Sequence, residues 1–268
     1  MNNPGNRSNR PFSGPGKVWL VGAGPGDAEL LTLKALRVLR QCDVWLVDDL
    51  VGRDIVALAR PGTRIIEVGK RGGCASTPQA FILRLMESHA RRGCSVARVK
   101  GGDPFIFGRA GEEIAWLEGR GIEVEAIGGI TAGLAAAAAL GLPLTHRAVA
   151  RGVALVTAST ADDTRPDWHA LARSGLSIVC YMGMGRPGSL AAEWLAAGFP
   201  AALPAAVIQH VSCPGQRHAF TSLGRLADTI ATQNLASPAI IVLGEIVRHA
   251  QRRDKPREVA GQRAVLTS

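Results

Sequence analysis

The chain has 268 residues, 47% of them hydrophobic, and a formal net charge of +9. That length supports one large domain or two of about 120 residues, and the longest apolar run, the alanine-rich stretch 133–144, is too short to span a bilayer. The charge does not single out a nucleic acid: 1–16 carries +2 and 248–268 carries +4, which leaves about +3 on the body. A single Tyr also leaves the chain without a stacking platform for bases.

Residues 1–16, rich in Asn, Gly, Pro, Ser and Arg, read as a disordered leader with no secretory signal. The five cysteines (42, 74, 94, 180, 213) show no C-x-x-C spacing and read as reduced thiols of a cytoplasmic protein. The six histidines have no metal-ligand spacing, so no metal is expected. A buried strand is predicted over 17–21, followed by the loop Gly22-Ala23-Gly24-Pro25-Gly26-Asp27 and a helix with Leu31, Ala35, Val38 and Leu39 on one stripe. A strand over 44–47 ends in Asp48-Asp49, a short helix covers 54–59, and a third strand covers 64–68. A polar loop, 69–76, holds Lys70 and Arg71. Thr77-Pro78 then reads as an N-cap with Pro at the first helical position, and Ile82, Leu85, Met86 and His89 turn inward. Strand 95–100 leads into Gly101-Gly102-Asp103-Pro104-Phe105-Ile106-Phe107-Gly108-Arg109, then a helix carrying Ala110, Ile114 and Leu117. A strand over 122–126 and an alanine-rich helix opened by Gly128-Gly129-Ile130-Thr131-Ala132 close this half.

Alternating strands and helices predict a mainly parallel sheet covered on both faces. The rhythm breaks at 142–152, read as a linker between an N-terminal α/β domain (17–141) and a C-terminal one (153–250), with a basic tail over 251–268. In the second domain strands are predicted at 153–157, 178–182, 205–209 and 240–243, with helices around 190–197 and 223–232. Two tandem α/β domains with glycine turns after their strands place the site in the cleft between them, and such sheets bind ligands beyond their strands' carboxyl ends.

The first glycine loop is a weak dinucleotide fingerprint. Its third glycine comes too early, Pro25 removes a donor that a pyrophosphate would need, and Asp27 opposes an anion. The loop after strand 95–100 has an ordinary explanation: a tight turn in which Asp103 caps the next helix and Arg109 pairs with Glu112 or Glu113. It also has a functional one, in which Gly101-Gly102 lets the backbone approach a ligand and Asp103 accepts from a hydroxyl or amine.

The ordered set V-G-A-G-P-G-D-x-E-L-L-T-L-K-A, V-D-D-L-V, G-K-R, K-G-G-D-P-F-I-F-G-R-A-G-E-E, G-I-T-A-G, L-P-L-T-H-R and Y-M-G resembles the tetrapyrrole methylases over about residues 17–248. The K-G-G-D-P-F-x-F-G-R segment is highly specific to that group. The resemblance implies S-adenosylmethionine as methyl donor, S-adenosylhomocysteine as product and a homodimer. It implies C-methylation of uroporphyrinogen III at ring positions 2 and 7 to precorrin-2, for cobalamin, sirohaem or haem d1. It places the donor against Pro25, Gly101, Gly102, Asp103, Ile106, Thr131, Ala132, Met182 and Val211. Asp48 and Lys70 match positions of proton acceptor and donor, although taken alone they read as a cap and a solvated loop lysine. Arg109 matches an arginine linked to proton removal. Guanidinium is a poor base, so its expected task is to hold substrate carboxylates and steer deprotonation. Glu112 would accept from pyrrole N–H groups and Met182 would line the space between donor and macrocycle. Lys70, Arg71, Arg109 and Arg147 would anchor the eight carboxylates of the substrate.

The chain departs from the family pattern at Thr157-Ala158-Ser159 (usually T-G-H), Ala110 (usually Gly), Val47 (often Tyr) and Gln79-Ala80-Phe81-Ile82-Leu83 (commonly Q-x-x-I-N). None of these removes a donor position. They leave open which tetrapyrrole is used and how many methyls are transferred. The alternatives are a methylase of the same fold acting on a later precorrin, a Rossmann oxidoreductase and a basic RNA-binding protein.

Overall fold

The computed structural model describes residues 14–69, 77–159 and 164–250. The chain divides into two compact units, 1–131 and 132–268.

The first unit is built on a five-stranded sheet of β1 (Val18–Gly22), β2 (Val44–Val47), β3 (Arg64–Glu67), β4 (Val96–Lys100) and β5 (Val124–Ile127), in the order β3-β2-β4-β1-β5. Every pairing is parallel. The helices are α1 (Leu33–Leu39), α2 (Arg53–Val56), α3 (Gln79–Arg91) and α4 (Ala110–Glu118). Thr32 caps α1 by accepting from the Ala35 N–H at 3.1 Å. The α3 helix starts one residue later than its Thr-Pro signal suggests. Pro78 stands at its N-cap, and the Thr77 hydroxyl donates to the Gly69 carbonyl at 3.5 Å.

Strand periodicity sorts the core into two layers. Val18, Leu20, Val44, Leu46 and Val96 face one side and pack with Ile82, Met86 and Leu117 of α3 and α4. Val21, Trp45, Val47, Ala97 and Val99 face the other and pack with Ala35, Val38, Leu39 and Ile55 of α1 and α2. The sheet is therefore covered on both faces, as near-continuous apolar strands require. One consequence falls on β4. Arg98 and Lys100 share a face with Val96, so two charged side chains enter the layer beneath α3 and α4, and both are buried.

The second unit carries β6 (Val153–Thr157), β7 (Ser177–Tyr181), β8 (Pro204–Gln209), β9 (Arg217–Ser222) and β10 (Ala239–Leu243), in the order β6-β7-β10-β8-β9. Only β6 and β7 pair in parallel. Its helices are α5 (Ala132–Leu140), α6 (Trp168–Arg173), α7 (Pro187–Ala196) and α8 (Leu226–Thr232). Trp168 meets Trp194 edge to face and Phe199 lies tilted against Trp194 in its core, with Trp194 fully buried. The alanine-rich α5, expected with the first sheet, belongs to the second unit because it packs on β7 and β10. Gly133 makes this possible. Its N–H donates to the Tyr181 hydroxyl at 2.9 Å, and a Cβ there would stand 2.4 Å from that oxygen.

The four described cysteines are free. Burial pushes the thiols of Cys42 and Cys180 up to about 12. No helix among the described residues is long and apolar enough to cross a membrane.

Candidate active site

At the centre of the first sheet β4 and β1 are neighbours. The connection from β1 runs to β2, on the far side of β4, and that from β4 runs to β5, on the far side of β1. Loops leaving the carboxyl ends of adjacent strands toward opposite edges open a ligand crevice in sheets of this kind.

Here the loops meet backbone against backbone. Gly24 and Gly102 exchange hydrogen bonds, Gly24 N–H to Gly102 O at 3.1 Å and Gly102 N–H to Gly24 O at 2.7 Å. The loop after β5 closes on both: a Cβ on Gly129 would stand 2.3 Å from the Gly102 carbonyl and 2.8 Å from Gly22. Contacts with main chain cannot be relieved by a rotamer change, so glycine is demanded there. The first loop has thus spent the polar groups of Gly24 on Gly102, which explains in physical terms why its fingerprint resemblance is poor. A Cβ on Gly101 would meet Leu50 Cβ at 2.8 Å, which brings the loop after β2 to the same place.

Asp103 is the tie among these loops. Its Oδ2 accepts from the Gly129 N–H at 2.9 Å and its Oδ1 from the Phe105 N–H at 2.8 Å. It does not cap α4, whose N-cap is Arg109 in the left-handed conformation at φ 59°. Each carboxylate oxygen retains a further lone pair, so Asp103 can hold the loops and still accept from a ligand. Gly101, Gly102 and Ile106 of the same loop are partly buried, as is Pro25 next to Gly24, and Thr131 is buried at the end of the loop after β5. Leu50, Phe105 and Phe107 are large apolar side chains left exposed on these loops.

Arg109 and Glu112 grip one another, Nη2 to Oε2 at 2.6 Å. Both are more than half exposed, so the pair adds little stability and opens cheaply to other partners. The Arg109 hydrogen bond holds the Glu112 carboxyl below the ordinary range. Lys70 and Arg71 lie outside the described residues. In the second unit Met182 follows β7 with φ 56° and is half exposed, next to the tyrosine that fixes the start of α5 at Ala132. Val211 is buried between His210 and Ser212, both in the left-handed region. Arg147 is exposed.

Beneath the carboxyl edge of the first sheet lies a charge network that reading the sequence did not anticipate. Glu113 is fully buried and receives Lys100 Nζ on both oxygens at 3.2 Å, Arg98 Nε at 3.4 Å and Gln79 Nε2 at 2.9 Å. Arg98 extends through Nη2 to Asp48 Oδ1 and donates through Nη1 to the carbonyls of Leu46 and Val99. Burial, and after it the Arg98 guanidinium, push the Lys100 ammonium below the ordinary lysine range. Asp48 is thus tied to the sheet interior through Arg98 rather than serving as a helix cap. The available signal was a central strand with charges at every second position, Arg98 and Lys100, facing the apolar side of two helices.

The family described as Tetrapyrrole (Corrin/Porphyrin) Methylases matches residues 17–227. The chain belongs to this family. A uroporphyrinogen-III C-methyltransferase of Pseudomonas aeruginosa is 55% identical over 233 residues, 87% of this chain and 95% of the relative. A siroheme synthase of Chromobacterium violaceum is 42% identical, over 88% of this chain and 51% of its own length. The crystal structure of uroporphyrin-III C-methyl transferase from Thermus thermophilus, complexed with S-adenyl homocysteine, is 40% identical. It has a TM-score of 0.77 and covers 90% of this chain and 97% of its own. The methylase is therefore an enzyme with the two-sheet α/β architecture of its family.

Proposed function

We propose that this methylase transfers methyl groups from S-adenosylmethionine to uroporphyrinogen III at ring positions 2 and 7, giving precorrin-2. The observation that carries the reading is the glycine floor tied by Asp103, in a chain 55% identical to an enzyme named uroporphyrinogen-III C-methyltransferase. The floor suits a flat, uncharged nucleoside edge. Glycine backbone allows close approach, Asp103 keeps lone pairs for hydroxyls or an amine, and Pro25 and Ile106 offer apolar contact.

As the family resemblance implies, Pro25, Gly101, Gly102, Asp103, Ile106, Thr131, Ala132, Met182 and Val211 would hold the donor. When bound, it supplies an electrophilic methyl on sulfur and its own neutral leaving group. The protein's share is orientation and proton handling. Arg109, released from Glu112, would take a substrate carboxylate, with Arg71 and Arg147 as further anchors, while Glu112 accepts from pyrrole N–H groups and Met182 borders the macrocycle. Asp48 would accept the proton that leaves the macrocycle after methylation, and Lys70 would supply one. No metal is needed for either step. A homodimer in the cytoplasm, feeding cobalamin, sirohaem or haem d1 synthesis, completes the reading.

The test is anaerobic incubation with uroporphyrinogen III and methyl-labelled donor, followed by mass analysis of the tetrapyrrole. Two added methyls are expected. One methyl, or methylation only of a later precorrin, overturns the assignment of substrate and product.

A further inference from the structure

We propose that Arg98 is a positioning residue for methyl transfer, fixing the Asp48 carboxylate from inside the sheet with one oxygen tied and the other presented at the strand's end. The inference rests on the reading of Asp48 as proton acceptor and adds the device that keeps it ready.

The geometry makes Arg98 unable to serve elsewhere. All three nitrogens of its fork are engaged, with Nε on Glu113, Nη1 on two backbone carbonyls and Nη2 on Asp48. Only 2% of the residue is exposed, so it cannot reach out to a substrate carboxylate as Arg109 can. Glu113, clamped by Lys100 and Gln79, holds the other end of the guanidinium. Among the four charges, Asp48 alone has an appreciably exposed side chain, at 26%. No described residue donates to its Oδ2.

Two buried basic side chains, Arg98 and Lys100, face two carboxylates, Glu113 and Asp48. During turnover the proton leaving the methylated macrocycle bonds to Oδ2, and the electron pair of the broken bond stays in the ring system. Water reaches the exposed part of the Asp48 side chain and takes that proton on, which frees the carboxylate for the next cycle. Sequence spacing also fits: Arg98 pairs in register with Leu46, two residues before Asp48 on the same strand face.

The experiment is a double-mutant cycle on product formation. Arg98→Met, Asp48→Asn and the combined variant are compared with wild type by single-turnover methylation, steady-state KM for both substrates, and calorimetric binding of S-adenosylhomocysteine. Expected for Arg98→Met is a rate at least ~10-fold lower, with both KM values and the S-adenosylhomocysteine affinity within about 2-fold of wild type. The combined variant should be no slower than Asp48→Asn alone, because a residue acting only through Asp48 has nothing left to position. Arg98→Lys, which keeps the charge and part of the reach, should recover some of the rate, and it replaces Arg98→Met in the cycle if the latter fails to bind S-adenosylhomocysteine. Multiplicative losses in the combined variant, or raised KM at unchanged rate, overturn the positioning role while leaving the reaction intact. Wild-type rates in Asp48→Asn would remove the acceptor role and this inference together. Absence of any methylation by wild type would instead sink the proposed function.

Discussion

The double duty of Asp103 can be separated from ligand binding by measuring the protein without ligand. In Asp103→Ala the Gly129 N–H, partly buried, loses a charged acceptor, and so does the exposed Phe105 N–H. A hydrogen bond to a charged group is worth about 1.5–3 kcal/mol, and an exposed donor regains most of its share from water. The expected loss is therefore about 2–3 kcal/mol, nearly all of it from the Gly129 bond. For a chain of this size that corresponds to a fall in Tm of about 4–10 °C. Asp103→Asn is the informative companion. Its side-chain oxygen can serve one donor, but its amide turns two hydrogens toward the other N–H, so an intermediate loss is expected. The assay is calorimetric melting of the free proteins, followed by S-adenosylhomocysteine titration. Donor affinity should drop in both variants, further than the stability loss accounts for. An Asp103→Ala protein that melts with wild type would refute the loop-tie argument. One that loses stability but binds S-adenosylhomocysteine normally would confine Asp103 to holding the loops.

Further outcomes follow from the same geometry. Gly129→Ala forces a methyl to within 2.3 Å of a backbone carbonyl, so it should cost more than any overpacked side chain, above about 3 kcal/mol, and appear as a lower urea midpoint with donor binding abolished. Arg109→Ala removes only an exposed pair, so Tm should move by less than about 1 kcal/mol equivalent and donor affinity should stay near wild type, while turnover collapses. Parallel loss of donor affinity would contradict its assignment to the tetrapyrrole. The thiols of Cys42 and Cys180 should resist a thiol-specific chromogenic reagent at pH 8 until the protein is unfolded. Their raised values also carry a sign: between pH 9 and about 12 the unfolded chain releases thiol protons that the native state keeps, so the urea midpoint should fall as pH rises through that window.

The first sheet was legible because β1 and β2 are apolar runs and glycines follow β1, β4 and β5, where the loops then proved to meet. Less of the second unit could be read. Strand β9 buries only Ala219 among six residues, so it lacks the alternation that marks a strand, and α6 buries only Trp168. The helix α5 is almost wholly alanine and glycine, with no stripe to say which sheet it covers. Its place is decided by one small residue, Gly133, fitting against Val179 and Tyr181. At the site, single-loop features such as Gly101-Gly102-Asp103 were visible in sequence. Partnerships between distant segments were not: Asp103 with Gly129, Asp48 with Arg98, and Arg98 with Glu113 join residues 15 to 50 positions apart that only the sheet order brings together.

The meeting of three loops through their glycines has a bearing on how such an enzyme can diverge. A floor made of main chain offers evolution, or an engineer, almost nothing to edit, since any added carbon collides with peptide groups that have nowhere to go. Changes of tetrapyrrole preference must therefore be written in the exposed side chains of these loops, at Leu50, Phe105 and Phe107, where a new side chain meets solvent rather than backbone.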